Sequence, residues 1–307
     1  MSRVCKVGYF VTAMAGGMRD GALGWRELKE IATRAEQVGL DSFFVPDHLL
    51  FKPEREDPHG PWECWSLLAA LAASTSRVEI GSLVSCIGFR SPALLAKMAE
   101  SVDEISGGRL ILGLGAGWHQ PEYEAFDYPF ERRFDWFEEA VHVIRTLVTT
   151  GRIDHEGEFY RFDNCELIPR GPRPDGLPIL IGALSSGKRM LRMAAQNADI
   201  WNGWLVHGRS HPDELLRLMN AVDAACEKAG RDPATLERTL GIMVDQRPAG
   251  ERTSSGSAQP LTGSDEEIAE AIRAFAAGGI SHIQIVPTIQ GVAGIERLAE
   301  LMPLLEM

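Results

Sequence analysis

Short apolar runs alternate along almost the whole chain with longer stretches whose apolar residues recur every three or four positions. The first run, Lys6 to Val11, reads as a strand. After a glycine-rich loop, Trp25, Leu28, Ile31, Ala32, Ala35 and Val38 mark one helical face that Gly39 closes. The next unit is the strand Ser42 to Val45, ended by Pro46-Asp47-His48, with a Pro-rich, charged loop (49–61) and a helix from Trp62 to Ser74. A long strand, Val78 to Ile87, follows. Ser91 and Pro92 then open a helix that runs to Ile105.

The fourth unit begins at Gly107-Gly108-Arg109-Leu110-Ile111-Leu112-Gly113-Leu114-Gly115-Ala116-Gly117-Trp118. A glycine pair stops the helix, and a continuously apolar run predicts a strand covered on both faces. Glycine at every second position (113, 115, 117) predicts backbone left bare for a close approach. Its helix runs from Phe130 to Thr149. Residues 151–177, with Phe159-Tyr160-Arg161-Phe162 and three prolines, read as a hairpin inserted between units. Strands at Pro178 to Ile181, Ala198 to Trp201, Leu240 to Val244 and His282 to Val286 complete the series. Their helices are predicted from Gly187 through Ala195, over Asp213 to Lys228, from the capping box Ser264-Asp265-Glu266-Glu267 to Gly278, and over Ile295 to Leu305. Eight strands alternating with eight helices, without a linker-like break, predict one α/β domain over 1–307. Its fold class is a (β/α)8 TIM barrel with an insertion after the fourth unit.

Composition narrows the partners. A formal net charge of -12 and the lack of any Lys/Arg cluster longer than Arg132-Arg133 argue against nucleic acid and anionic membranes. No apolar run is long enough to span a bilayer and no signal-peptide layout is present, so the expected location is cytoplasmic. Cys5, Cys64, Cys86, Cys165 and Cys226 are scattered, with no disulfide or zinc spacing, and Gly208 and Pro212 break the helix a His207/His211 metal pair would need. No metal is expected.

In such a barrel the chemistry belongs on the loops that follow the strands. His48 stands at one of those ends beside Asp47, which makes it the candidate for proton transfer, with Asp47 as its orienting carboxylate. His119 is a weaker candidate; His59, His142 and His155 have no such placement. Gly182-Ala183-Leu184-Ser185-Ser186-Gly187-Lys188 would present free N–H groups at a helix start, suited to a phosphate, although the spacing is not that of a P-loop. Phe10, Trp118 and Trp204 are candidate walls of a substrate pocket.

Three segments resemble the luciferase-like monooxygenase superfamily: Ser85 to Pro92; Asp103-Glu104-Ile105-Ser106-Gly107-Gly108-Arg109 through Gly113 to Trp118; and Pro178 to Arg189 followed by Ala198-Asp199-Ile200-Trp201-Asn202. The resemblance implies a barrel that uses reduced FMN or the deazaflavin coenzyme F420. Pro46-Asp47-His48 and Ser85-Cys86-Ile87 look more like the F420-dependent branch, in which the matching histidine serves as acid or base near C5 of the deazaflavin. It further implies a non-prolyl cis peptide at Ser85–Cys86 or Cys86–Ile87 backing the ring. Ser85, Cys86, Ile87, Gly115, Ala116 and Gly117 would then lie along the ring, and Gly182, Ser185, Ser186, Gly187 and Lys188 would hold the phosphate. Sugar-phosphate dehydrogenases of that branch carry glutamate where this chain has Trp118, which puts glucose 6-phosphate chemistry in doubt. The expected activity is hydride transfer between F420 and a small alcohol, carbonyl or enone. The alternatives are an FMN-dependent monooxygenase fed by a flavin reductase and a barrel that binds cofactor without turnover. Family likeness implies a homodimer, and the loop 248–263 is a candidate lid.

Overall fold

The computed structural model describes residues 3–11, 23–52, 57–182, 187–205, 212–248 and 260–306. Its strands are β1 (Lys6–Phe10), β2 (Ser42–Val45), β3 (Glu79–Ser82), β4 (Ser85–Cys86), β5 (Leu110–Gly115), β6 (Arg152–Glu156), β7 (Arg161–Glu166), β8 (Ile179–Gly182), β9 (Ile200–Leu205), β10 (Glu237–Asp245), β11 (Leu261–Thr262) and β12 (His282–Pro287). The helices are α1 (Trp25–Gln37), α2 (Cys64–Ser74), α3 (Pro92–Ser106), α4 (Gln120–Ala125), α5 (Arg133–Thr150), α6 (Lys188–Asn197), α7 (Pro212–Lys228), α8 (Asp265–Ala277) and α9 (Gly291–Leu301). Strands β1, β2, β3, β5, β8, β9, β10 and β12 pair in parallel in that order, and β12 pairs back onto β1. The (β/α)8 barrel is therefore closed. Strands β6 and β7 form the expected antiparallel hairpin, an insertion after the fourth unit.

Local sequence explains most of this frame. On α1, Leu28, Ile31, Ala32 and Ala35 bury one face. Gly107 and Gly108 end α3 with φ of 70° and 85°, where residues with a Cβ are disfavoured. Ser264 and Glu267 cap α8 reciprocally, as their spacing predicts. The Asp-Glu-Ile-Ser-Gly-Gly-Arg motif lies at the start of β5, opposite the catalytic face of a barrel of this kind. There Asp103 accepts from the Leu110 N–H at 3.0 Å, and Arg109 donates to the carbonyls of Ala72, Thr75 and Val78 at 2.7–3.0 Å. The motif is a staple.

Several boundaries differ from expectation. Val78 to Ile87 is not one strand: it breaks after Ser82, passes a cis peptide at Leu83–Val84 and resumes as β4. Helix α2 starts at Cys64 because the Glu63 carboxylate accepts from the N–H groups of Trp65 and Ser66. A short helix, α4, intervenes before α5. Among the described residues no helix is long and apolar enough to cross a membrane, and no group of three or more potential ligands could hold a metal ion. His207, His211 and residues 249–259 of the candidate lid lie outside the described residues.

The barrel interior is apolar around Phe44, Ile111, Leu180 and Met243. It also holds polar pairs: Asn202 donates to Thr239 Oγ1 and Gln284 Oε1, and Ser42 Oγ lies 2.7 Å from His282 Nε2. Burial, assisted by the charge of Lys6, drives the His282 pKa from 6.5 to about 3, so the folded protein keeps this ring neutral. The unfolded chain takes up a proton below about 6.5, so this contribution to stability is complete above that value and is lost as pH falls toward 3. The loss approaches ~4–5 kcal/mol at 1.36 kcal/mol per pKa unit. In urea melts between pH 7 and 4.5, wild type should lose stability more steeply than His282→Gln. Parallel slopes would remove His282 as the cause.

Candidate active site

The loop after β2 carries both residues that the sequence singles out, and they face different partners. Asp47 is buried, accepts from the Cys86 N–H at 2.8 Å and takes Arg90 in a bidentate pair at 2.5 and 3.1 Å. Arg90 also reaches Glu63 at 3.1 Å. Burial pulls the guanidinium pKa down, but these carboxylates more than offset it, and Arg90 is held above its ordinary value. Asp47 therefore ties the ends of β2 and β4 together and does not orient His48. Glu122, on α4, takes that role: its Oε1 lies 2.9 Å from His48 Nδ1. Its other oxygen accepts from the Leu49 and Leu50 N–H groups at 2.9 and 3.4 Å.

Tyr123 makes α4 a clip across a third strand end. Its hydroxyl donates to the Ala116 carbonyl at 3.0 Å and lies 2.7 Å from Cys86 Sγ. Burial pushes the Cys86 thiol up to about 12, so it stays protonated and is no nucleophile. Gly117 has φ of 74°, and a Cβ there would lie 2.1 Å from the Tyr123 hydroxyl and 2.7 Å from Cys86 Sγ. The glycine makes room for this packing. Gly115 makes room in the same way: a Cβ there would stand 2.4 Å from Val84 Cγ2. Val84 also lies over Gly113 and Gly182, at 3.2 and 3.1 Å from the corresponding Cβ positions. Three glycines from two strands thus seat one side chain at the barrel mouth.

The cis peptide stands at Leu83–Val84, not at Ser85–Cys86 or Cys86–Ile87. Ser85 donates to Ser82 Oγ, which donates to the Gly113 carbonyl, both at 2.9 Å. Ile87 packs into the large core, and Cys86 packs with Phe89 and Tyr123. Gly182 ends β8, Gly187 precedes α6 and Lys188 opens that helix, exposed, while Ser185 and Ser186 lie outside the described residues. Arg189 and Arg192 are engaged by Asp135 and Glu138.

His48 sits among rings. Phe51 lies 4.5 Å away and Trp118 meets it edge-on at 5.7 Å, with the indole 47% exposed. His119 packs on Phe51 and Trp118, and burial lowers its pKa. Phe10 and Trp204 pair with each other edge-to-face at 5.6 Å in the barrel interior. His155 bonds Glu139, which also accepts from the N–H groups of the hairpin turn, so its role is to dock the insertion. Arg133, unremarked in the sequence, donates to the Gly117 carbonyl and covers Phe130 at 4.2 Å. Glu122 is the principal residue that sequence reasoning misses. Its only signal is to follow Pro121 in the first turn of a helix too short to show a period.

Residues 5–252 match the family described as luciferase-like monooxygenase. The chain belongs to that family. A pyrimidine monooxygenase, RutA, of Cronobacter sakazakii is 38% identical over 176 residues, 55% of this chain and 50% of that protein, so the chain spans about half the length of this relative. An F420-dependent glucose-6-phosphate dehydrogenase of Amycolatopsis mediterranei is 33% identical over 246 residues, 78% of this chain and 68% of that protein. Among solved structures, an F420-dependent secondary alcohol dehydrogenase in complex with an F420-acetone adduct shares the fold with a TM-score of 0.78 at 20% identity, over 99% of both chains. A riboflavin lyase, RcaE, with modified FMN gives 0.79 at 16% identity, over 98% of this chain and 91% of that one.

Proposed function

We propose that this enzyme transfers a hydride between F420 and a small alcohol, carbonyl or enone. The observation that carries the reading is His48: a buried carboxylate holds Nδ1, and Nε2 has no hydrogen-bond partner among the described residues. An imidazole so held is suited to move the proton that accompanies a hydride. Two further features support a flat, phosphate-bearing cofactor at the mouth: Val84 on its glycine seat, and the start of α6 with Lys188, which suits an anion. F420, when bound, supplies the hydride chemistry at its C5. The protein's part is to place the ring beside Val84, hold the phosphate with Gly182, Gly187 and Lys188, and deliver or remove the proton at His48 Nε2. Trp118 and Phe51 keep water from that imidazole.

The similarity to RutA favours a second reading, an FMN-dependent monooxygenase supplied by a flavin reductase. Fluorescence titration of the purified protein with F420 and, separately, with FMN tests the choice. F420 should bind in the micromolar range and FMN at least about tenfold more weakly, a difference of 1.4 kcal/mol. The reverse preference would overturn the hydride-transfer reading.

A further inference from the structure

The two oxygens of Glu122 are committed to different tasks, and that division fixes more than the position of His48. Oε2 faces two donors at once, the N–H groups of Leu49 and Leu50, so this end of the side chain must accept. Oε1 faces His48 Nδ1 at 2.9 Å and, as a carboxylate oxygen, can only accept there as well. The carboxyl group is 1% exposed, so water cannot take over either bond. His48 Nδ1 must therefore carry a hydrogen. We propose that Glu122 is the positioning residue of His48: it fixes the neutral ring as the Nδ1–H tautomer and leaves the lone pair on Nε2. The His48 side chain is 16% exposed, so that lone pair is the part of the ring left to meet a substrate proton. Asp47 cannot share the task, because both its oxygens serve Arg90 and the Cys86 N–H.

Glu122→Gln turns this logic into a sharp test. The amide keeps the shape, but only its oxygen can satisfy Leu49 and Leu50. Its NH2 group must then point at His48 Nδ1, which has to accept, and the hydrogen moves to Nε2. The two neutral tautomers give distinct long-range ¹⁵N–¹H correlation patterns. Each is read at the alkaline end of a titration, where the ring carries one proton, with the His48 signals assigned by their loss in His48→Ala. The wild type should show Nδ1–H, and a folded Glu122→Gln should show Nε2–H. A side chain that merely packs would leave the tautomer unchanged.

Two results overturn the proposal: Nε2–H in the wild type, which decides even where the variant fails to fold, or Nδ1–H retained in a folded variant. The kinetic consequence rests on the hydride-transfer reading. With the wrong tautomer kcat should fall by about 10²-fold or more with KM little changed. The spectra need neither cofactor nor substrate, so a failure of the F420 reading leaves the tautomer result standing.

Discussion

Asp47→Ala should lower the melting temperature by about 5–8 °C. Asp47 is fully buried and Arg90 is nearly so, and the pair is completed by the Cys86 N–H on one side and Glu63 on the other. Deleting one member of such a pair leaves a guanidinium in the interior with a single, half-exposed carboxylate, which costs about 3–5 kcal/mol. Unfolding entropy of about 2.1 cal/mol/K per residue converts that loss into the stated shift for a chain of this length. Asp47→Asn keeps the shape without the charge and should fall between variant and wild type. Differential scanning calorimetry checks both, and a shift below about 2 °C for Asp47→Ala would mean that the pair is not a structural tie. The loss should also loosen the loop on which His48 stands, since Asp47 bonds that loop to the Cys86 N–H of β4.

The barrel was legible in the sequence because its signals are local. Apolar residues three and four apart write the helices, Gly107-Gly108 and Ser264 write their ends, and the family motif around Arg109 reads as plainly as it does because it staples consecutive elements. What escaped depends on residues distant in sequence. The alternating glycines signal a close approach, but not that the approaching groups are Val84 at Gly113 and Gly115, on a seat that Gly182 of β8 completes, and Tyr123 at Gly117. The break in Val78 to Ile87 has no local mark. Adjacency points to Asp47 as the partner of His48. The structure gives Asp47 to Arg90 and brings Glu122 from a six-residue helix on another loop. The nature of the histidine as the candidate proton carrier was readable; its partner was not.

His48→Ala carries the largest expected effect on activity. Proton transfer by a positioned side chain contributes about 10²–10⁴-fold, and alanine removes it without disturbing Asp47, Arg90 or the Val84 seat. F420 affinity should stay within about tenfold of wild type, since at most one ring contact is lost. A barrel that only binds cofactor would show no change at all. The decisive measurement is turnover of wild type and His48→Ala with reduced F420 and a panel of aldehydes, ketones and enones, without oxygen. Wild type should turn over anaerobically, and His48→Ala should lose at least about 10²-fold in kcat at near-normal F420 affinity. Equal activity in the two proteins, or turnover that demands FMN and oxygen, would rule out hydride transfer with His48 as the proton carrier.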